Sequence, residues 1–358
     1  MIGLDILRNL KGKLDEIIFQ FNKIIGLESF GVLWDKTSRF PKRICLSLSL
    51  SCNSDCIFCA ERGKAISIKL MPFELLMKVL DELEENNFKG EFSLSEGGEA
   101  LTHPEFKKII GAIREKFPKN KLWLYSNMVL MDKEMSQFLL EHNLNFLHFN
   151  FDGTSARNYD YIKRNGRFEQ VKNNIQDFFT LRNALHSDCA VQIGIIDAKR
   201  YSEEIEGRFG IFDADQKEIR KLWAPYLRRG DCISTEPIFL FKYQFLLNRK
   251  KTEDCHLFKR ILSDMFIAPD GRVYICCFDF GMLSSLGNIK DQKISSIWSS
   301  KMREDLLKNI FLRNFEKTFN VCQSCLPYPD SIFLDQRMAH RKVKRQLQKI
   351  NRRDDICL

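Results

Sequence analysis

The amino-acid sequence predicts an α/β fold, about six strand–helix units in a row followed by a smaller α+β segment. Between residues 43 and 240, short β-rich runs alternate with stretches of helical apolar spacing. Strands alternating with helices imply right-handed crossovers and a parallel sheet. After residue 240 the alternation stops, and a hairpin pattern with irregular flanks takes over. A third observation bears on chemistry. Seven of the 12 cysteines fall into two groups, one just after the first strand and one in the later segment.

Residues 1–42 come first, an extension in which Leu10, Leu14, Ile17, Ile18, Phe21 and Ile25 recur near helical spacing, so an amphipathic helix is expected. Arg43 to Leu50 is the first strand. Helices are expected over 73–87, 104–116, 132–143 and 167–185. Further strands are expected at Glu91–Ser95, Leu122–Tyr125, Phe146–Phe151, Ala190–Ile196 and near Ile233–Phe239. Met265–Ala268 and Arg272–Ile275 flank Pro269-Asp270-Gly271, which reads as a hairpin. The expected division is an N-terminal helical extension over 1–42, a core over 43–240, a small domain over 241–330 and a basic tail over 331–358.

Composition narrows the class. At 44% hydrophobic the chain can bury a core and is not of the disordered type. No apolar run reaches the length of a membrane span, and Met1-Ile2-Gly3-Leu4-Asp5 lacks the basic start of a secretory signal. A cytoplasmic protein with reduced, metal-binding thiols is expected rather than a disulfide framework. The net charge of +9 is concentrated at one end, because residues 335–353 hold eight Lys or Arg against one acid, Asp335. A uniformly basic nucleic-acid surface is therefore excluded, and the tail alone is a candidate for an anionic membrane or nucleic-acid contact.

The first cysteine group is Cys52, Cys56 and Cys59, a C-x3-C-x2-C loop after the first strand. A [4Fe–4S] cube takes four thiolates. Three close cysteines leave one iron open to bind and activate a small molecule. Zinc is the alternative, but it favours four ligands, often in paired C-x2-C units, and no fourth ligand lies close in sequence. The second group is Cys255, Cys276, Cys322 and Cys325, with no cysteine after Cys325 until Cys357. Four thiolates suffice for one closed cluster or one structural zinc. The remaining cysteines, Cys45, Cys189, Cys232, Cys277 and Cys357, read as small buried hydrophobes.

The loop spacing, the aromatic Phe58 before the last cysteine and the (βα)6 pattern together resemble the radical S-adenosylmethionine superfamily. Ser95-Glu96-Gly97-Gly98-Glu99 after the second strand resembles that family's G-G-E motif. The resemblance implies a partial TIM-like barrel of parallel strands. It also implies a cube on Cys52, Cys56 and Cys59 whose open iron is chelated by S-adenosylmethionine, and reductive cleavage of that cofactor to a 5′-deoxyadenosyl radical that abstracts hydrogen from substrate. Carried over residue by residue, the cofactor contacts implied are Phe58, Gly97, Gly98, Glu99, Ser126, Asn127, Asn150, Arg164 and Ile195. Two positions depart from the family pattern: Met128 stands where a glycine is usual, and Asn150 where a serine is usual. The later segment resembles the SPASM/twitch auxiliary-cluster domain, supported by Arg272-Val273-Tyr274-Ile275-Cys276 and Leu286-Gly287-Asn288-Ile289. One auxiliary [4Fe–4S] cluster on Cys255, Cys276, Cys322 and Cys325 is implied, making two in all.

A single closed auxiliary cluster resembles the arrangement in dehydrogenases of the 2-deoxy-scyllo-inosamine type. It implies a two-electron oxidation of a sugar or aminocyclitol alcohol, with a flavodoxin- or ferredoxin-type electron donor. Peptide modification and sugar epimerisation or dehydration remain alternatives, as does a non-enzymatic redox or nucleic-acid-binding role. Two residues of the sixth strand are candidates for substrate chemistry: Cys232 as a hydrogen-atom donor and Glu236 as an acid or base.

Overall fold

The computed structural model describes residues 28–325 except 29, 36, 38, 58, 60–69, 95–96, 165–166, 198–215, 238–254, 256, 280 and 324. The side chains of 196, 197, 216 and 235–237 are likewise outside the description. Expectations for residues 1–27, Phe58, Ser95, Glu96, the basic tail and Cys357 therefore lie outside the described residues.

Six parallel strands form the core in the predicted order. They are β1 (Arg43–Leu46), β2 (Glu91–Leu94), β3 (Leu122–Tyr125), β4 (Phe146–Asn150), β5 (Ala190–Asp197) and β6 (Cys232–Pro237), each paired in parallel with the next. The intervening helices are α1 (Phe73–Glu85), α2 (Phe106–Lys116), α3 (Lys133–Glu141), α4 (Ala156–Lys163), α5 (Phe168–Ala184) and α6 (Gln216–Trp223). In α1, Leu75, Leu76, Val79, Leu80 and Leu83 are buried along one stripe, as helical spacing requires. Each such burial contributes roughly 1.5–3 kcal/mol. Asp132 caps α3 by accepting from Met135 N at 2.8 Å, and Ser155 caps α4 by accepting from Asn158 N.

The hairpin of β7 (Asp264–Ile267) and β8 (Arg272–Tyr274) forms as expected, and β9 (Gly287–Asn288) pairs antiparallel with β8. Its placement joins the hairpin to the sheet of the core. β7 pairs in parallel with β1, so one nine-stranded sheet runs β6-β5-β4-β3-β2-β1-β7-β8-β9. Without β7, the apolar strand β1 would present an unpaired edge. Arg43 fixes the junction, because its guanidinium bonds Glu91 of β2 at 2.7 Å and Asp264 of β7 at 3.5 Å. The chain accordingly divides into two compact units, Pro41–Arg249 with Ser263–Ile297, and Met1–Phe40 with Lys250–Leu262 and Trp298–Leu358.

In the second unit, residues 30–35 are helical. It also holds the start of α7 (Phe258–Ser263), the end of α8 (Ile294–Trp298), α9 (Lys301–Phe311) and α10 (Asn320–Gln323). Its core is built around Arg303, which stacks over Trp298 at 3.4 Å and donates to the carbonyls of Trp298, Ile261 and Leu262. Phe311 packs against both Phe30 and Phe258. No helix among the described residues is long and apolar enough to cross a membrane.

Candidate metal and cofactor centre

The cysteine loop begins where β1 ends. Ser47 N donates to Ile267 O at 3.0 Å, and the Ser47 hydroxyl bonds the Tyr274 hydroxyl at 3.0 Å. Cys52 is exposed, while Cys56 and Cys59 are half-buried. Three loops from the carboxyl ends of other strands hold this segment, the place where parallel sheets bind ligands.

The loop after β2 approaches backbone to backbone. A Cβ on Gly98 would lie 2.3 Å from Ser49 O and 2.7 Å from Ser51 O, so only glycine fits. Glu99 N then donates to Ser51 O at 2.9 Å. The Glu99 carboxylate is buried and accepts from Leu101 N at 3.3 Å and Asn127 N at 2.7 Å. Burial pushes Glu99 up to about 7, against the opposing hydrogen bonds from Asn127, Leu101 and Ser126. It joins two loops of the site.

The loop after β3 supplies Ser126 and Asn127. Ser126 Oγ accepts from Met128 N at 3.0 Å, and Met128 takes a left-handed φ of 65°. The Asn127 amide reaches the cysteine loop, donating to Asn53 Oδ1 at 2.6 Å, Ser54 Oγ at 3.4 Å and Cys52 Sγ at 3.6 Å. These bonds tie Asn127, a cofactor-contact candidate from the sequence, to the thiol loop.

The third support follows β4. Asp55 N and Ile57 N donate to Lys163 O and Ile162 O at 3.2 and 3.0 Å, so the cysteine loop satisfies carbonyls at the end of α4. Lys163 is buried and pairs with buried Asp152 at 2.6 Å. Burial alone would lower the Lys163 pKa, but the negative charges of Asp152 and Cys56 outweigh it and the net shift is upward. Burial pushes the Cys56 thiol up to about 11, with Lys163 opposing. Partial desolvation of its sulfur by the surrounding loops also raises Cys52, with Ser54 opposing and Glu99 and Cys59 adding. Lys163 was not singled out by sequence reasoning, which named its neighbour Arg164 as a cofactor contact. Arg164 is an exposed helix cap with a left-handed φ of 53°. Lys163 lies four residues after buried Tyr159 and next to buried Ile162, a spacing that already placed it on the inner face of α4.

Asn150 is half-buried at the end of β4, in register with Gly194. Ile195 is fully buried with Val191 and Ile193. Cys232 is half-buried and in register with Gln192. Glu236 is in register with Ile196, and its side chain lies outside the described residues. Cys45 and Cys189 are buried, as expected of small hydrophobes. Cys255, Cys322 and Cys325 belong to one compact unit and Cys276 to the other. Cys325 N donates to Cys322 O at 3.4 Å, and burial pushes Cys325 up to about 11.

Among the described residues, no three His, Cys, Asp or Glu side chains close around a single ion. The donor set of Cys52, Cys56 and Cys59, with an amide donor on Cys52 and a buried ammonium beside Cys56, fits an iron–sulfur cluster.

Comparison with known proteins agrees with this chemistry. Residues 46–184 match the radical SAM superfamily, and residues 255–326 match SPASM, an iron–sulfur cluster-binding domain. Biotin synthases of two Methanococcus maripaludis strains are similar at 32% identity over 113 residues and 31% over 124, covering 30% and 32% of this chain. The match spans about a third of those relatives' length, 33% and 37%. Among solved structures, BtrN in complex with AdoMet and 2-DOIA shares the fold with a TM-score of 0.53 at 15% identity, over 83% of this chain and 97% of BtrN. Native anSMEcpe with bound AdoMet gives 0.56 at 14% identity, over 86% of this chain and 99% of that one. Residues 46–184 are thus a radical SAM domain and residues 255–326 a SPASM iron–sulfur cluster-binding domain, and these two domains imply S-adenosylmethionine and [4Fe–4S] clusters as cofactors.

Proposed function

We propose that this chain is a radical SAM oxidoreductase that removes two electrons from an alcohol carbon of a sugar- or aminocyclitol-type small molecule. The observation that carries the reading is the donor count after the core. Cys255, Cys276, Cys322 and Cys325 supply four thiolates, and the next cysteine is Cys357. Four ligands complete one cluster and leave no open iron for substrate, which suits electron acceptance. Cys52, Cys56 and Cys59 would hold the cluster of the core. Gly97, Gly98, Glu99, Ser126, Asn127 and Asn150 would flank the S-adenosylmethionine.

In the overall reaction H–C–O–H becomes C=O. Carbon loses a hydrogen atom, oxygen loses a proton, and one further electron leaves the substrate. When bound, the reductively cleaved cofactor supplies the radical that takes the hydrogen atom, and the auxiliary cluster supplies the electron acceptor. A flavodoxin- or ferredoxin-type protein would deliver the electron that starts each turnover.

The test uses the full chain, anaerobically reconstituted with iron and sulfide, with S-adenosylmethionine, a reductant and cyclitols deuterated at the carbinol carbons. Deuterium in 5′-deoxyadenosine together with a ketone product is expected. An epimer in which one carbinol deuterium has been replaced by hydrogen, with no ketone formed, would replace this reading with epimerisation. Absence of 5′-deoxyadenosine from fully cluster-loaded protein would remove the enzymatic reading altogether.

A further inference from the structure

Side chains of a strand alternate between two faces. Along β3 to β5 one set, including Leu124, Leu147, Phe149, Val191 and Ile193, is at most 1% exposed. The other set turns polar toward the carboxyl ends. Tyr125, His148, Gln192 and Cys232 stand in register across four strands. Asn150, Gly194 and Ser234 form the next row on the same face. The side chains in both rows are half-buried, whereas the described residues on the opposite face of β3, β4 and β5 are buried. Gly194 contributes no side chain, so the second row is notched between Asn150 and Ser234.

The chemistry of these rows is specific. The Tyr125 and His148 rings lie 5.1 Å apart, and the Gln192 amide donates to Ser234 Oγ at 2.9 Å. No Lys, Arg, Asp or Glu stands in either row. Deeper on this face, Arg43 is the one Lys or Arg among the described residues of β1 to β6. It is held by Glu91 and Asp264 and covered by Trp123 at 4.3 Å. A phosphate or carboxylate ligand would call for a fixed cation, preferably an arginine fork. Amide, phenol, imidazole and hydroxyl groups both donate and accept, which matches the hydroxyl group of a ligand.

We propose that Tyr125, His148, Gln192 and Ser234 form the wall that receives the hydroxyl groups of a polyhydroxylated substrate that carries no phosphate or carboxylate. The proposal rests on the alcohol-oxidation reading above and narrows its substrate class to molecules without phosphate or carboxylate.

Binding is read without turnover. The cluster-loaded full chain with S-adenosylmethionine is equilibrated by dialysis against radiolabelled myo-inositol, with myo-inositol 1-phosphate as competitor. Saturable myo-inositol binding is expected, with the phosphate at least about tenfold weaker. Gln192→Leu and Ser234→Ala should each weaken binding by about three- to tenfold, the size of one net hydrogen bond. Iron content and circular dichroism report folding of the variants. If Gln192→Leu fails to fold, Ser234→Ala, which removes a single oxygen, decides. Absence of saturable binding, unchanged affinity in the folded variants, or phosphate binding as tight as inositol would each overturn the proposal. Polyol binding without ketone formation would fault the oxidation reading and leave the recognition wall standing.

Discussion

The Asn127 side chain bridges the loop after β3 and the thiol loop. Its backbone N–H goes to Glu99, its amide nitrogen to Asn53, Ser54 and Cys52, and its carbonyl accepts from Val129 N at 3.0 Å. A donor on a ligating sulfur stabilises the more negative, reduced cluster and so raises its potential. Asn127→Leu should therefore shift the potential of the reconstituted core cluster downward. A tenfold smaller reduced fraction at fixed potential corresponds to about 59 mV for one electron. An electron-paramagnetic redox titration measures it, and an unchanged midpoint at full iron loading would refute the role. At this scale much was legible in the sequence. Cys52, Cys56, Cys59, Gly98 and Glu99 were all named from motif and spacing, and the structure brings their loops together. Lys163 was not named, because its burial depends on where α4 packs and Arg164 beside it carries the same charge.

The cluster loop owes its shape to an element the sequence reading omitted. The helix α4 carries Arg157, Asn158, Asp160 and Lys163 within eight residues, a composition that reads as a polar loop. It forms because Ser155 caps its start and because the cysteine loop's N–H groups satisfy the carbonyls at its end. The longer helices and the six strands were recoverable because their apolar spacing repeats over enough residues to fix a period. The Asp152–Lys163 pair ties α4 to the end of β4. Lys163→Met leaves the Asp152 carboxylate buried without its cation and should cost about 3–5 kcal/mol. Replacing both partners, Lys163→Met with Asp152→Leu, should recover most of that loss. Urea unfolding midpoints of the single and double variants measure it, and an additive double variant would show that the two side chains do not act as a pair.

At the scale of the whole molecule, the feature that sequence could not supply is the pairing of β1 with β7. Both strands were readable, but nothing in either states which distant partner it takes, since the apolar pattern fixes which face is buried and no short turn joins β1 to β7 to set the pairing. A chain ending after residue 262 should therefore express as aggregate, because β1 would be left as an open apolar edge. Gel filtration of the soluble fraction measures this, and a monodisperse folded product would contradict it. The same pairing imposes an order in time. Arg43 and Asp264 are 221 residues apart. At about 5–20 residues per second, a ribosome needs roughly 10–45 s to reach the second after the first. Throughout that interval the cysteine-bearing loop has been made, but its strand lacks one neighbour. A nascent chain would thus expose its thiols and a bare strand edge together, so a chaperone shielding that edge during translation would also govern when iron and sulfide can enter.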